Sequence, residues 1–305
     1  MGSLSLFVRF ATFQSDEFHS SPITIPSSAS LSFSVFGIDG WMGVRQREPM
    51  PLLTPSDIFD RLAAEPEPVR VSLQQFQSRA CAQQYRVPYA QTQRFLAEPG
   101  RVLDWGCGNG HFSYFLWQAG HRVDSYAFGA PSPMIRHLQS RSDRPVVYSA
   151  GSESEPVKLP YADATFDAVF SIGVLEHVRE VGGDELESLR EIGRVLRPNG
   201  LFFCFHFPNR LSWIEALTTV FRSRHHHAYR YTKKDILRLA AAAGFRVLEM
   251  RRYNALPRNV FASLGWGRNS RLLARSADKI DSVQACLLNS FCQNYAVVAC
   301  KLLKG

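Results

Sequence analysis

The sequence lacks the patterns that mark several large classes of protein. No run of about 18 apolar residues occurs in its 305 residues, so we expect no membrane-spanning helix. Its six cysteines form no C-x-x-C pair and no Cys/His group with zinc spacing, and we expect reduced, mostly buried thiols in a cytoplasmic protein. Apolar residues at 45% and charged residues at 20% exclude a mostly disordered or fibrous chain and are typical of a globular one.

Acidic residues are scarce in one part of the chain. Between Arg222 and Arg275, thirteen Lys or Arg residues stand against two acids, Asp235 and Glu249, so this segment carries +11. The chain as a whole carries +8, so the remainder sums to −3. The basic segment favours an anionic small molecule, peripheral contact with an anionic membrane surface, or nucleic acid, and a solvated helix face is the alternative.

Periodicity divides the chain into parts. Residues 1–50 are rich in serine and aperiodic, which predicts a disordered extension, and residues 51–100 are predicted to be a helical segment. From residue 101, short apolar runs such as RVLDW, FDAVFSI and LFFCFHF alternate with helical patterns, one of them opened by a capping box at Thr232 and Asp235. This alternation predicts a parallel sheet wound on both faces, with ligands bound at the carboxyl ends of its strands.

The sequence VLDWGCGNG, at 102–110, places three glycines between the first strand and a helix. Glycine permits a close backbone approach, and a helix N-terminus favours an anionic group such as a phosphate or a carboxylate. The dinucleotide fingerprint would require glycine at position 111, which is His111, and the G-K-[ST] of a P-loop is absent. The remaining pattern is G-x-G-x-G after V-L-D.

This pattern resembles the class I S-adenosylmethionine-dependent methyltransferases, in particular the small-molecule enzymes similar to those of quinone biosynthesis. Further stretches resemble motifs of that family in the same order: LPYAD with FDAV at 159–169, VLEHV at 174–178, LRPNGL at 196–201, and YT with AGF between 231 and 245. The resemblance implies a Rossmann-like, doubly wound, mostly parallel seven-stranded sheet. It also implies a core over 101–253, a helical lid over 254–294, a final antiparallel strand over 295–305, and S-adenosyl-L-methionine as the cofactor.

The resemblance also assigns cofactor contacts. The glycine loop would line the methionine end of the cofactor, and an acid before LPYAD would lie near the adenine. One residue after strand four would flank the cofactor. The acid that this family usually carries at the end of strand two, for the ribose, falls at Ala127, and Ser125 on the same strand face is its candidate substitute. The full set is Asp104, Gly106, Cys107, Gly108, Gly110, Ser125, Glu155 and Ile172.

Histidines and tyrosines follow the fifth strand, where a methyl acceptor would be bound. Histidine is suited to remove a proton near neutral pH, and we expect His206 or His227 to be the base. The predicted substrate contacts are His177, Asn209, Tyr229 and Tyr231. Three adjacent histidines, 225–227, cannot all reach one ion from an extended chain, so we expect no metal site.

These features predict S-adenosylmethionine-dependent methyl transfer to a small-molecule acceptor, at an oxygen of a hydrophobic or partly anionic metabolite. The predicted lid also includes residues 211–221, and its aromatic residues among arginines, Trp213, Phe261 and Trp266, are consistent with such an acceptor. Two alternatives stay open: an RNA methyltransferase that uses the basic C-terminal third, and a non-catalytic binding protein of the same fold. No nucleic-acid-binding motif is found, and the oligomeric state is left open.

Overall fold

The computed structural model describes residues 52–220, 227–258 and 267–302. The predicted disordered extension over 1–50 therefore lies outside the described residues, as do Phe261 and Trp266 of the predicted lid. Within the described part of the chain, no helix is long and apolar enough to span a membrane.

Seven strands form one sheet in the centre of the fold. They are β1 (Arg101–Trp105), β2 (Arg122–Phe128), β3 (Val147–Gly151), β4 (Phe166–Ile172), β5 (Leu196–Pro208), β6 (Phe245–Tyr253) and β7 (Asn294–Lys301). Their order is β3-β2-β1-β4-β5-β7-β6, in which β7 alone runs antiparallel to its neighbours. The predicted mostly parallel sheet with a final antiparallel strand is confirmed. Its strand order reverses between β1 and β4, where a ligand crevice is expected.

Helices cover both faces of the sheet. The α-helices of the described residues are α1 (Pro55–Leu62), α2 (Glu67–Val71), α3 (Arg79–Ala82), α4 (Arg86–Phe95), α5 (His111–Gln118), α6 (Pro133–Gln139), α7 (Glu185–Val195), α8 (Trp213–Val220), α9 (Lys233–Ala242) and α10 (Arg271–Leu287). Helices α4, α5 and α6 share one hydrophobic cluster with the sheet, and α7 and α9 share the other. The predicted doubly wound architecture follows from these two layers.

The central strands are apolar because both of their faces are buried. On β1, Val102 packs with the α5 layer while Leu103 packs with the α7 layer. Phe170 of β4 and Phe203 of β5 stack with ring centroids 4.6 Å apart. A strand covered on both faces appears in the sequence as a short continuous apolar run, which is why the fourth and fifth strands were recognisable.

The predicted capping box at the start of α9 is confirmed. The Thr232 side chain accepts from the Asp235 backbone, and the Asp235 side chain accepts from the Thr232 backbone. Four of the six cysteines are buried.

Helix α10 lies in the segment predicted to be a lid. It is close to α3 of the N-terminal segment, and Arg86 of α4 donates to the Ser282 hydroxyl at 2.8 Å. Its inner face includes Asp281, which with Asp278 pairs with the buried Arg258 guanidinium at 3.0 and 2.9 Å. These contacts fix one side of α10 to the body of the protein, and its action as a lid stays a prediction.

Candidate functional site

The glycine loop follows β1 with three left-handed residues. Gly106, Gly108 and Gly110 have φ of 74°, 49° and 83°. The Gly106 and Cys107 N–H groups donate to the Tyr126 carbonyl of β2, at 2.8 and 3.0 Å, so these two are used to hold the loop on the sheet.

The glycines of the loop serve different purposes. A Cβ on Gly106 would lie 2.5 Å from the Val174 side chain, so this glycine permits close packing against the chain that follows β4. Among the described residues, a Cβ on Gly108 would meet only the Gly106 carbonyl, at 3.9 Å. Gly108 therefore borders open space into which a ligand can approach the backbone.

Beneath the loop, Asp104 belongs to a buried polar network. The Ser113 hydroxyl donates to Asp104 Oδ2 at 2.5 Å, and the Ser113 and Ser125 oxygens are 2.8 Å apart. Burial raises the pKa of Asp104 to about 6, despite the opposing hydrogen bonds from Ser113. Ser125 is fully buried in this network, so it lies inside the sheet and not at the edge where a ribose would be reached.

Replacing Asp104 by asparagine is expected to stabilise the protein in a pH-dependent way. The folded pKa, about 6, is above the ordinary value of 3.8, so the wild type loses stability as pH rises through this interval. The gain in free energy of unfolding should be about 3 kcal/mol at pH 8 and about half of that at pH 5. Urea unfolding of both proteins at each pH measures it, and equal gains at the two pH values would contradict the assignment.

The other predicted cofactor residues lie at or beyond the carboxyl edge of the sheet. Ala127, near the end of β2, offers its carbonyl to the Tyr148 hydroxyl at 3.3 Å and brings no acid to this edge. Glu155 is exposed and pairs with Lys158 at 3.1 Å. Ile172 ends β4 and is partly buried.

A carboxylate–histidine cluster lies at the carboxyl end of β4. Glu176, His177 and His227 each place one ligand atom within 4.8 Å of the others. Glu176 is 1% exposed, and neither of its carboxylate oxygens has a hydrogen-bond partner in the described structure. The Nε2 atom of His227 is 4.0 Å from Glu176 Oε1.

A second carboxylate orients His227 from the opposite side of its ring. Glu215 Oε1, on α8, lies 3.0 Å from His227 Nδ1. Burial alone would lower the pKa of His227, but the hydrogen bond and charge of Glu215 raise it overall. Burial also raises the pKa of Glu176, to about 7.

His206, the other predicted base, has a different environment. It adopts a φ of 58° near the end of β5, with its ring centroid 5.1 Å from that of Tyr85 and 5.6 Å from that of Tyr253. Burial, and then the charge of His227, lower the pKa of His206 to about 3. A ring with this pKa is neutral at physiological pH but accepts a proton poorly, which favours His227 for the catalytic role.

Two of the predicted substrate contacts use their polar atoms inside the protein. The Asn209 side chain is fully buried, and its amide donates to the Ser290 and Cys292 carbonyls, both at 2.8 Å. The Tyr231 ring stacks on Phe207 in the core while its hydroxyl donates to a glutamate of α7.

The other two predicted contacts remain accessible. His177 is partly exposed and belongs to the cluster around Glu176. Tyr229 is exposed on the surface, with the Arg179 guanidinium 5.0 Å from its ring centroid.

Sequence reasoning missed the two acids that lie on either side of the His227 ring, Glu176 and Glu215. Glu176 lies inside the VLEHV motif and Glu215 lies in the apolar helix α8, far from each other in the chain. No spacing rule connects such positions. The one available signal was an acid in the otherwise apolar run WIEALTTV, because a buried carboxylate requires a partner.

Comparison with known proteins gives the family context. A family model described as a methyltransferase domain matches residues 75–250, which is more than half of the chain. The chain is 33% identical over 141 residues to a ubiquinone biosynthesis O-methyltransferase of Methylocella silvestris, covering 45% of this chain and 51% of that protein. It is 35% identical over 104 residues to a tRNA U34 carboxymethyltransferase of a Geobacter species, covering 33% and 30%.

Among solved structures, the fold is similar to that of a chain in a complex between the Haloferax volcanii Trm112 methyltransferase activator and a proposed methyltransferase. The TM-score is 0.51 at 17% identity, covering 78% of this chain and 99% of that one. The chain spans about a third of the length of the first curated relatives that it matches.

Proposed function

This chain belongs to the family of methyltransferase domains, and from that premise we propose that it methylates an oxygen of a small organic acceptor. The family makes it an S-adenosylmethionine-dependent methyltransferase, so the proposal concerns the acceptor. We infer an acceptor that is hydrophobic or partly anionic.

The residues around the glycine loop fit the cofactor. The open space at Gly108 and the left-handed backbone on both sides of it allow a ligand to contact the loop closely. The loop from Gly106 to Gly110 would hold the amino-acid end, and Ile172 would flank the cofactor from β4. Its ribose would have no carboxylate partner at Ala127. When bound, the cofactor supplies an electrophilic methyl group on a sulfonium sulfur.

The observation that carries the proposal is the position of the carboxylate–histidine cluster beside this loop. A Cβ on Gly173 would lie 3.7 Å from Glu176 Oε1, and the next residue, Val174, packs against Gly106. An acceptor between the loop and the cluster would therefore contact both. An oxygen acceptor loses a proton on methylation, and imidazole and carboxylate groups suit that chemistry.

The cluster favours an oxygen acceptor because its groups are positioned before any acceptor binds. Glu215 holds the His227 ring through Nδ1, so that Nε2 is directed toward Glu176. A carboxylate that orients an imidazole in this way is a recurring arrangement where a proton leaves a hydroxyl. We therefore propose His227 as the catalytic residue of this site.

The RNA alternative depends on the basic segment. Part of that charge is engaged within the protein, because Arg258 is 3% exposed and pairs with two aspartates. Phosphate contacts require exposed cations, so Arg258 adds little to an RNA surface.

An isotope experiment tests the acceptor class. The purified full chain is incubated with S-adenosylmethionine labelled in the methyl group and with a fractionated cell extract. We expect label in the organic-soluble small-molecule fraction, as a base-stable ether or a base-labile ester. Label that appears in RNA and disappears on ribonuclease treatment would overturn the proposal, as would failure to bind S-adenosylhomocysteine by calorimetry.

A further inference from the structure

Glu176 is the least satisfied acidic group of the candidate site. Both of its carboxylate oxygens are buried and have no hydrogen-bond partner among the described residues. A buried carboxylate without a partner costs several kcal/mol, and proteins avoid that cost with a paired charge or a metal ion. The arrangement around Glu176 is therefore incomplete without a further group.

We propose that Glu176, His177 and His227 bind a divalent cation, with a further coordination position open to the acceptor. Two imidazole nitrogens and one carboxylate oxygen are the ligand set of several catalytic zinc sites. Their ligand atoms lie within 4.8 Å of one another. In a tetrahedral zinc site each ligand atom is about 2.1 Å from the ion, which places two ligand atoms about 3.4 Å apart. Side-chain rotations that bring each atom inward by about 1 Å would close the site.

The surroundings of both histidines support this assignment. His227 Nδ1 lies 3.0 Å from Glu215 Oε1, and His177 Nδ1 lies 2.9 Å from Glu180 Oε1. When a carboxylate accepts a hydrogen bond from one ring nitrogen, the lone pair of the other nitrogen is available to a metal ion. Metal-binding histidines are typically held in this way. Each imidazole can thus present Nε2 to a common ion.

A direct ion pair between Glu176 and His227 explains the geometry less well. The 4.0 Å between His227 Nε2 and Glu176 Oε1 is too long for a hydrogen bond, so the pair leaves the carboxylate oxygens unsatisfied. An ion between the two atoms would bond to both.

The role of the open position rests on the proposed function. With an ion bound, His227 would be a ligand and not the base. A cation that binds the acceptor hydroxyl lowers its pKa, so that the hydroxyl proton would pass to water. The oxygen lone pair then forms the new bond to the methyl carbon as the carbon–sulfur bond breaks. The positively charged sulfonium becomes a neutral thioether, and no oxidant or reductant is required.

Metal binding can be measured without cofactor or acceptor. The full chain is treated with a chelator, dialysed, and titrated with Zn²⁺ in competition with a chromophoric chelator; Co²⁺ serves as a spectroscopic probe of tetrahedral coordination. We expect one ion per chain with a Kd in the micromolar range or below. Glu176→Gln and His177→Ala should each raise the Kd at least tenfold and remove the Co²⁺ absorption.

His137 offers a matched control. Its Nε2 lies 2.7 Å from Glu65 Oε2, so it is also a histidine held by a glutamate, but it is not part of the cluster. His137→Ala should bind Zn²⁺ as the wild type does. His177 is partly exposed, so His177→Ala is expected to fold, and circular dichroism checks this.

The outcomes separate this inference from the proposed function. No Zn²⁺ or Co²⁺ binding, or binding that both cluster variants retain, would overturn the metal site. If the wild type bound the ion, the cluster variants did not, and no oxygen acceptor was methylated, the metal site would be supported and the proposed function refuted.

Discussion

Replacing Gly108 by valine is expected to raise the Kd for S-adenosylhomocysteine at least a hundredfold. Two effects act together. A β-branched residue is strained at the φ of 49° that the loop requires, and its side chain would enter the open space beside the Gly106 carbonyl. Isothermal titration calorimetry of the two proteins measures the loss, and thermal unfolding shows whether the variant still folds.

Gly244 provides the control for backbone strain. It follows α9, has a φ of 81°, and a Cβ there would meet nothing within 4 Å. Gly244→Val therefore introduces the same kind of strain away from the loop, and it should reduce stability while the Kd stays within a few-fold of the wild type. If both variants lost binding equally, strain alone would explain the result and the loop would lose its assigned role.

Local patterns predicted the sheet because each central strand carries its own signal. The limits of β1 and β4 agree with the predicted runs RVLDW and FDAVFSI, since a strand buried on both faces is mostly apolar. The glycine loop was predictable for a similar reason: a left-handed turn between a strand and a helix demands glycine at fixed positions.

Side-chain roles near the sheet edge were harder to predict. Asn209 and Tyr231 follow the fifth strand, as predicted substrate contacts would, but their polar groups bond to the segment before β7 and to α7. Those partners come from distant parts of the chain. Asp124 precedes Ser125 on β2, so its side chain lies on the opposite face of the sheet, where it pairs with Arg101 at 3.0 Å.

The carboxylate–histidine cluster shows the limit more clearly. From the sequence, the adjacent histidines 225–227 predict no metal site, because they cannot all reach one ion from an extended chain. In the structure, only His227 of the three lies among the described residues, and its carboxylate neighbours come from α8 and from the turn after β4. A site built from three separate segments has no spacing for sequence reasoning to detect.

Replacing His227 by alanine is expected to lower kcat by a factor on the order of 10² to 10⁴, the range typical for loss of a group that handles a proton or holds a catalytic ion. The ring lies between the two buried acids, with Nδ1 3.0 Å from Glu215 Oε1 and Nε2 4.0 Å from Glu176 Oε1. Its loss removes the imidazole from the acceptor side of the site. Initial rates with labelled cofactor, at saturating acceptor, measure the effect.

Cofactor affinity distinguishes a role in catalysis from a general disruption of the site. His227 lies on the acceptor side, so His227→Ala should keep the Kd for S-adenosylhomocysteine within a few-fold of the wild type while kcat falls. Glu215→Gln keeps a hydrogen-bond acceptor for the ring but removes the charge. It should lower kcat by a smaller factor of about 10- to 100-fold, as for other groups that orient a functional histidine. If His227→Ala raised the Kd for S-adenosylhomocysteine by the same factor by which it lowered kcat, His227 would belong to the cofactor site. Because Gly108→Val should instead lose cofactor affinity first, the two variants together separate the donor side of the crevice from its acceptor side.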